Sequence, residues 1–403
     1  MFSDFMKALE QKYEQMVEIR RYLHQYPELS FKEYQTAAYI RSFYEKRSIP
    51  VQANVGGNGL VAVIEGKKPG KTVALRADFD ALPIQDEKDV PYKSTVPGVM
   101  HACGHDGHTA TLLSLAEVLY DMREHLHGKI VCIHQHAEEY APGGAKDMIE
   151  AGCLEGVDAI FGTHLWATVP TGVIQYRTGP IMAAADRFEI TVKGSGGHGA
   201  QPHKTKDSIV IASQLVMNLQ QIVSRRVNPI DSAVVTVGSF VAENAFNVIA
   251  DRAKLIGTVR TFNEEVRTQI EDEIERIIKG TCLAADADYE YVYTRGYPAV
   301  VNHQEETEFL IDTAKGVEGV IAVEETEPHM GGEDFAYYLQ HVKGTFFFTG
   351  AKAPEVTNPY PHHHPRFNFD EKAMLIAAKV LGTAAWTYLE KNQPIEESVT
   401  TNN

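Results

Sequence analysis

Thr72-Val-Ala-Leu-Arg-Ala-Asp-Phe-Asp-Ala-Leu-Pro83 begins as an apolar run, delivers two carboxylates at Asp78 and Asp80, and stops at a proline. A strand without polar alternation is buried on both faces, as in a parallel sheet, and ligand sites form beyond the carboxyl ends of such strands. Asp78 and Asp80 alternate with apolar neighbours, so they share a face. The stretch predicts an α/β protein with its site at this strand end, against the plainer reading of two turn-forming aspartates in solvent.

The neighbouring segments repeat the pattern. Lys129-Ile-Val-Cys-Ile-His134 reads as a second buried strand and runs into Gln135-His-Ala-Glu-Glu139. If that strand continued, Glu138 and Glu139 would point to opposite sides, one able to ligate a cation and the other to take a proton from water. Ala159-Ile-Phe-Gly-Thr-His164 places a histidine at a third strand end, where a lone histidine is more often structural. Strands are also expected at Gly59 to Glu65 and Gly344 to Gly350.

Between the first two core strands lies Met100-His-Ala-Cys-Gly-His-Asp-Gly-His-Thr109, with three histidines, a cysteine and an aspartate among glycines that allow tight turns. Cys103 and His105 could reach one ion together. The apolar spacing after it predicts a helix ending near His127-Gly128, whose N-terminus would stabilise a thiolate. The beginning of the chain, Met1 to Tyr26, reads as one amphipathic helix. A second helix runs to about Lys46 behind Ser30 and Glu33, which have capping-box spacing.

From Arg187 the pattern changes to a strand, a helix from Asp207 to about Arg226, two strands, a helix from Glu264 to about Leu283, and a last strand. This β-α-β-β-α-β order is that of a ferredoxin-like unit. Candidate ligands fall on both sides of it, so it is expected as an insert: 1–185 and 297–403 form a catalytic metal-binding domain and 186–296 the inserted one. The insert carries a glycine-rich loop with His198 and His203, without the lysine of a phosphate-binding loop. His198 could stabilise an oxyanion if the loop reaches a site. Asn247 and Arg260 could clamp a substrate carboxylate, although a salt bridge is the commoner use of a strand arginine. After the insert, Pro328-His-Met-Gly-Gly-Glu-Asp-Phe335 is a loop entering a helix, and one histidine of His362-His-His364 is expected to be a further ligand.

Composition narrows the class. The chain has 403 residues, enough for two cores, and 54 acidic against 38 basic residues give a net charge of -16, which argues against nucleic acid and anionic membranes as partners. Four cysteines without framework spacing, no apolar signal core and no apolar run long enough for a bilayer lead to the expectation of a cytoplasmic protein. Seventeen histidines, mostly clustered, point to metal or proton chemistry. The polar tail from Gln393 is expected to fray.

Taken together, 76–83, 100–108, Ala137-Glu-Glu139, Gly196-Gly-His198 with Pro202-His203, Gly331-Gly-Glu-Asp-Phe335 and His363-His-Pro365 resemble the metallo-amidohydrolases that include aminoacylases, hippurate hydrolases and hydrolases of indole-3-acetyl-amino acid conjugates. The resemblance implies an α/β zinc-peptidase-like catalytic domain with a mixed central sheet flanked by helices, plus the ferredoxin-like lid or dimerisation domain. It further implies two divalent metals per subunit held by Cys103, His105, Glu139, His164 and His363, with Glu138 as general base and Asp80 orienting a ligand. By the same resemblance, His198 serves the oxyanion of a neighbouring subunit, Asn247 and Arg260 bind the substrate carboxylate, and the segment with Gly332 and Glu333 lines the pocket. Zinc suits thiolate and imidazole; manganese, cobalt or nickel also fit mixed ligands. The expected reaction is hydrolysis of an N-acyl-L-amino acid by a homodimer or higher oligomer joined through the lids, with a metallo-dipeptidase or carboxypeptidase as the alternative. A noncatalytic binding protein is disfavoured because the base and ligand set are all present. Two departures stand out: His136 replaces a proline usual before Ala-Glu-Glu, and Asp78 stands where more distant relatives have a histidine.

Overall fold

The structure, a computed structural model, describes residues 2–393; residues 394–403, most of the tail expected to fray, lie outside the described residues. The chain divides into two compact units, one comprising Met1–Ile181, Val301–Glu327 and Asp334–Asn403, the other Met182–Val300 and Pro328–Glu333. The second unit therefore takes in a short segment beyond the stretch 186–296.

Among the described residues, the first unit is built on an eight-stranded mixed sheet in the order Val51–Val55, Gly59–Glu65, His127–Gln135, Lys68–Asp78, Ala159–Pro170, Gly344–Lys352, Val173–Tyr176, Ala322–Glu325. The four middle strands are parallel, and the strands flanking them pair antiparallel. Helices cover both faces, which is why the middle strands are apolar on both sides. Along Ala159–Pro170, Phe161 turns to Phe309 and Tyr388. The next residue, Gly162, leaves room on the other face for the Phe335 ring, which any Cβ there would meet at 2.6 Å.

Three local expectations fail. The opening helix is two, Phe2–Gln11 and Tyr13–Gln25, broken at Lys12. Ser30 and Glu33 form no capping box, because both side chains bond to other segments: Ser30 donates to Asp80 Oδ2 at 2.7 Å, and Glu33 accepts from Ala137 N at 2.8 Å. The helix after the cysteine–histidine cluster, His105–Asp121, also ends earlier than expected and is followed by a short turn at Arg123–His125.

The second unit is a four-stranded antiparallel sheet in the order Ala233–Val241, Arg252–Thr261, Ala184–Lys193, Asp288–Thr294. It carries the helices Ser208–Gln221 and Glu264–Ala284, a ferredoxin-like topology. Both helices have side-chain N-caps, Asp207 and Asn263, and their apolar faces bury Leu215, Leu219, Ile270 and Ile274 against Phe188, Ile190 and Leu255 of the sheet.

Candidate metal centre

The carboxyl ends of Lys68–Asp78 and His127–Gln135 build the site together with His164, which lies inside the strand Ala159–Pro170 and not at its end as expected, because that strand runs on for six more residues beside Gly344–Lys352. Register sets Asp78 level with Gln135, and His164 is paired with Phe348 on the neighbouring strand. Arg76 locks the strand ends together: Nε donates to Gln135 Oε1 at 2.9 Å, Nη1 to Asp78 Oδ2 at 2.5 Å and Nη2 to Asp334 Oδ1 at 2.8 Å. Gly104, left-handed at φ 105°, turns the chain into the helix His105–Asp121 so that Cys103 and His105 face these strand ends. Asp106 belongs to a different group, accepting from Arg20 Nε at 3.0 Å and bonding His24 Nδ1 at 2.7 Å.

Hydrogen bonding decides which imidazole nitrogens retain a lone pair. His108 Nε2 accepts from Leu165 N at 2.9 Å, so its proton is on Nδ1 and goes to Asp78 Oδ1 at 2.6 Å; both nitrogens are used. His362 is consumed in the same way, Nε2 accepting from Ala167 N and Nδ1–H donating to Cys103 O, each at 3.2 Å. His364 stacks on Tyr360 and accepts from Arg366 N at 3.0 Å. His164 donates from Nδ1 to Leu165 O at 2.9 Å, which leaves Nε2 facing Cys103 Sγ at 3.4 Å. His105 donates from Nδ1 to Asp80 Oδ1 at 3.1 Å, and its Nε2 lies 3.7 Å from Glu139 Oε1. His363 places Nε2 3.3 Å from Glu139 Oε2, with its backbone N–H donating to Ala102 O at 2.8 Å.

The structure thus brings Cys103, His105 and Glu139 together, and Cys103 with His164; each set has ligand atoms within 4.8 Å of one another. His362 and His108 fall within the same kind of distance of their neighbours, but their nitrogens are engaged by backbone N–H groups and Asp78. His105 Nε2 and Glu139 Oε1 are buried without any hydrogen-bond partner among the described residues. Buried polar atoms are nearly always paired, so an orphaned imidazole nitrogen facing an orphaned carboxylate oxygen is the arrangement a cation would complete.

Electrostatics carry the same message. Burial and the carboxylates of Glu139, Glu138 and Asp78 push the Cys103 thiol well above its ordinary range, contrary to the expectation that the helix N-terminus would stabilise a thiolate. A thiolate in this acidic pocket needs a cation beside it. Burial disfavours charge on His105, but Asp78, Asp80 and Glu139 outweigh it and raise that group to about 10. A divalent cation held by His105 Nε2 in the place of that proton would satisfy the same carboxylates.

Asp80 is bonded on both oxygens: His105 Nδ1 to Oδ1, and Ser30 Oγ and Glu139 N to Oδ2 at 2.7 and 2.9 Å. It touches two candidate ligands at once. The glutamate pair is arranged differently from a continued strand. The strand ends at Gln135, and Ala137 adopts a left-handed φ of 53°. Both carboxylates consequently approach His105 Nε2, Glu138 Oε2 at 3.8 Å and Glu139 Oε1 at 3.7 Å. What separates them is that Glu139 also meets Cys103 and His363. His136 fills a niche beside Phe31, Gly57 and Gly144, with burial lowering its basicity. Sequence reading missed Glu33, whose carboxylate fastens the backbone next to Glu138; its spacing from Ser30 had suggested only a cap.

The remaining expected residues lie on the second unit. His198 and Asn247 are neighbours there: His198 pairs with Val248 in a two-residue ladder, and Gly199 N donates to Asn247 O at 2.8 Å. His198 is exposed and accepts from Ala200 N through Nδ1 at 3.1 Å. Arg260 donates from Nε to Met330 O at 3.2 Å and from Nη1 to Val259 O at 3.0 Å, with no carboxylate partner among the described residues. Beside it, the segment holding Gly332 and Glu333 is fixed by Ala183 N donating to His329 O and Gly331 O. A Cβ on Gly332 would stand 3.0 Å from that of Ala185.

The description of peptidase family M20/M25/M40 matches residues 74–387. YhaA of Bacillus subtilis (strain 168), which carries an amidohydrolase name, is 65% identical over 382 residues, 95% of this chain and 96% of that protein. The N-acyl-L-amino acid amidohydrolase of Geobacillus stearothermophilus is 47% identical over 309 residues, 75% of this chain and 81% of its own. The crystal structure of Bacillus subtilis YXEP, a dinuclear metal-binding peptidase, superposes with a TM-score of 0.82 at 35% identity, covering 94% of this chain and 99% of that one.

Proposed function

The chain belongs to peptidase family M20/M25/M40, and from that premise we propose that it hydrolyses the amide bond of N-acyl-L-amino acids, releasing a carboxylic acid and a free amino acid. Metal-dependent hydrolysis is the family's chemistry, and the Geobacillus stearothermophilus relative supports the acyl-amino-acid substrate class. The observation that carries the reading is the pair of orphaned buried atoms, His105 Nε2 and Glu139 Oε1, inside a cysteine–histidine–carboxylate cluster with Glu138 at its side.

Cys103, His105, Glu139, His164 and His363 would hold two divalent cations, zinc first for its fit to thiolate and imidazole, with manganese, cobalt and nickel as alternatives. Such ions acidify a water molecule and polarise the scissile carbonyl. Glu138 takes the proton from the attacking water and returns it to the leaving nitrogen. Asp80 accepts the His105 proton on Nδ1, so Nε2 is the nitrogen turned toward the cluster, where a cation would replace its proton. His198 donates to the oxyanion, supplied from a neighbouring subunit. Asn247 and Arg260 bind the substrate carboxylate, a role supported by Arg260 forming no carboxylate hydrogen bond or ion pair among the described residues, and Gly332 and Glu333 line the pocket.

A homodimer joined through the second unit is part of this proposal. Val210 and Met217 are exposed on the helix Ser208–Gln221, and Phe240 and Val241 on the edge strand Ala233–Val241, an apolar strand edge of the kind that pairs with a second copy. A cytoplasmic setting agrees with four unpaired cysteines. Among the described residues no helix is long and apolar enough to cross a membrane.

The second reading, a metallo-dipeptidase or carboxypeptidase, is favoured by the peptidase description of the family and of the YXEP structure. Turnover of acetyl, benzoyl, indole-acetyl and aminoacyl derivatives of the same amino acids separates the two. The N-acyl reading expects the acyl derivatives to have the higher kcat/KM; faster cleavage of the free-amine dipeptides would replace it by the second.

A further inference from the structure

Glu138 sits between two tethered backbone amides. Ahead of it, Ala137 N–H donates to Glu33 Oε1 at 2.8 Å; behind it, Glu139 N–H donates to Asp80 Oδ2 at 2.9 Å. Ala137 is fully buried and left-handed at φ 53°, a conformation that an alanine leaves unless its surroundings fix it. Its N–H is fixed by Glu33, and its carbonyl accepts from Gly144 N at 3.1 Å. Glu33 is itself anchored, with Asn58 Nδ2 donating to Oε2 at 3.0 Å. The carboxylate reaches across from a segment over a hundred residues earlier, and it serves no helix cap.

We propose that Glu33 is a positioning residue that holds Ala137 in its left-handed turn and thereby aims the Glu138 carboxylate, independently of the ligands. The inference rests on the reading of Glu138 as the base. Because Glu139 keeps its own tether to Asp80, loss of Glu33 frees the backbone on one side of Glu138 only. The ligand set should stay in place while the base drifts. A displacement of about 1 Å at a reacting group costs on the order of a hundredfold in rate.

Glu33→Ala, Glu33→Asp and Glu33→Gln would be compared with the unaltered chain after reconstitution with cobalt(II). Alanine removes the acceptor, and aspartate keeps the charge but is one methylene too short. Glutamine retains a carbonyl oxygen for Ala137 N–H. The expected result is a fall in kcat of roughly ten- to a hundredfold for alanine and aspartate, with KM, cobalt stoichiometry and the visible cobalt spectrum unchanged, and recovery in the glutamine variant. Crystal structures of the alanine or aspartate variant should show Ala137 out of the left-handed region. An unchanged kcat, loss of cobalt, or equal impairment of the glutamine variant would each overturn the proposal, as would an unmoved Ala137. If the unaltered chain hydrolyses no amide, the catalytic reading fails, and the conformation of Ala137 still tests the brace; should the alanine variant not fold, the aspartate variant decides.

Discussion

Replacing Asp80 by asparagine tests how the ligands are oriented. The carboxylate now accepts three bonds, one from His105 Nδ1, one from Ser30 Oγ and one from Glu139 N. An asparagine has one acceptor oxygen and one NH2 donor, so it cannot serve both sides. With the oxygen toward Ser30 and Glu139, the NH2 group meets His105 Nδ1, which also lies 3.1 Å from the Asp80 carbonyl oxygen, so the NH2 either crowds that N–H or drives the proton to Nε2, the atom meant for the cation. With the oxygen toward His105, the NH2 group can donate to Ser30 Oγ but faces the Glu139 N–H, so Glu139 loses its tether. Either way one ligand is mispresented. Loss of an outer partner of this kind weakens metal holding by about ten- to a hundredfold, equivalent to about 1.4–2.8 kcal/mol at about 1.4 kcal/mol per decade. Competition with a chromophoric chelator at pH 7.5 measures it directly for zinc and cobalt. A Kd within twofold of the unaltered chain would show that Asp80 does not govern His105 or Glu139, and the reasoning from proton placement would be wrong.

Three further outcomes follow from the same accounting. His363→Ala should lose one equivalent of metal, whereas His362→Asn should keep full stoichiometry and lose only loop stability; elemental analysis with the reverse pattern would reassign the ligand. In the second unit, Arg267 and Asp186 form a buried pair, Nε to Oδ2 at 2.9 Å and Nη2 to Oδ1 at 2.6 Å. Asp186→Ala removes the buried partner of that guanidinium, leaving it Glu264 Oε1 at 2.7 Å and Gly296 O at 3.0 Å, and should destabilise the unit by about 3 kcal/mol in denaturant titration; a loss below about 1 kcal/mol would contradict the burial argument. His134 accepts from Tyr44 Oη at 2.7 Å, and burial lowers it to about 3, so below pH 6.5 the unfolded chain binds a proton that the folded one refuses. Stability attributable to this group is therefore lost as pH falls from about 6.5 toward 3. His134→Gln should flatten the pH dependence of unfolding free energy by up to about 1.4 kcal/mol per pH unit in that window, and an unchanged slope would mean His134 is protonated in the folded chain.

Where the sequence was legible, one local pattern implied one structure. The unbroken apolar run before Asp78 marked a central parallel strand, and the strand–helix order after Arg187 marked the ferredoxin-like unit, because period and order survive folding unchanged. What stayed hidden depended on bonds between distant segments. Ser30 and Glu33 had capping-box spacing, but their partners Asp80 and Ala137 lie far along the chain and are worth more to them than a helix end. The opposed glutamates were argued from a strand that in fact stops at Gln135, with Ala137 turning left-handed instead. The triple-histidine run could not be resolved by spacing, since Ala167 N–H, Tyr360 and Glu139 are what distinguish its three rings. The thiolate expected from a helix N-terminus failed because burial and three carboxylates outweigh a helix dipole.

The central claim, two cations with Glu138 as a base outside their ligand set, is tested most directly by counting metal and turnover in Glu138→Gln beside the unaltered chain, both reconstituted with zinc. The account predicts two ions per chain in each protein and a fall in N-acyl-amino-acid hydrolysis of roughly a hundredfold or more in the variant. Full turnover in the variant, or one ion in place of two, would contradict it.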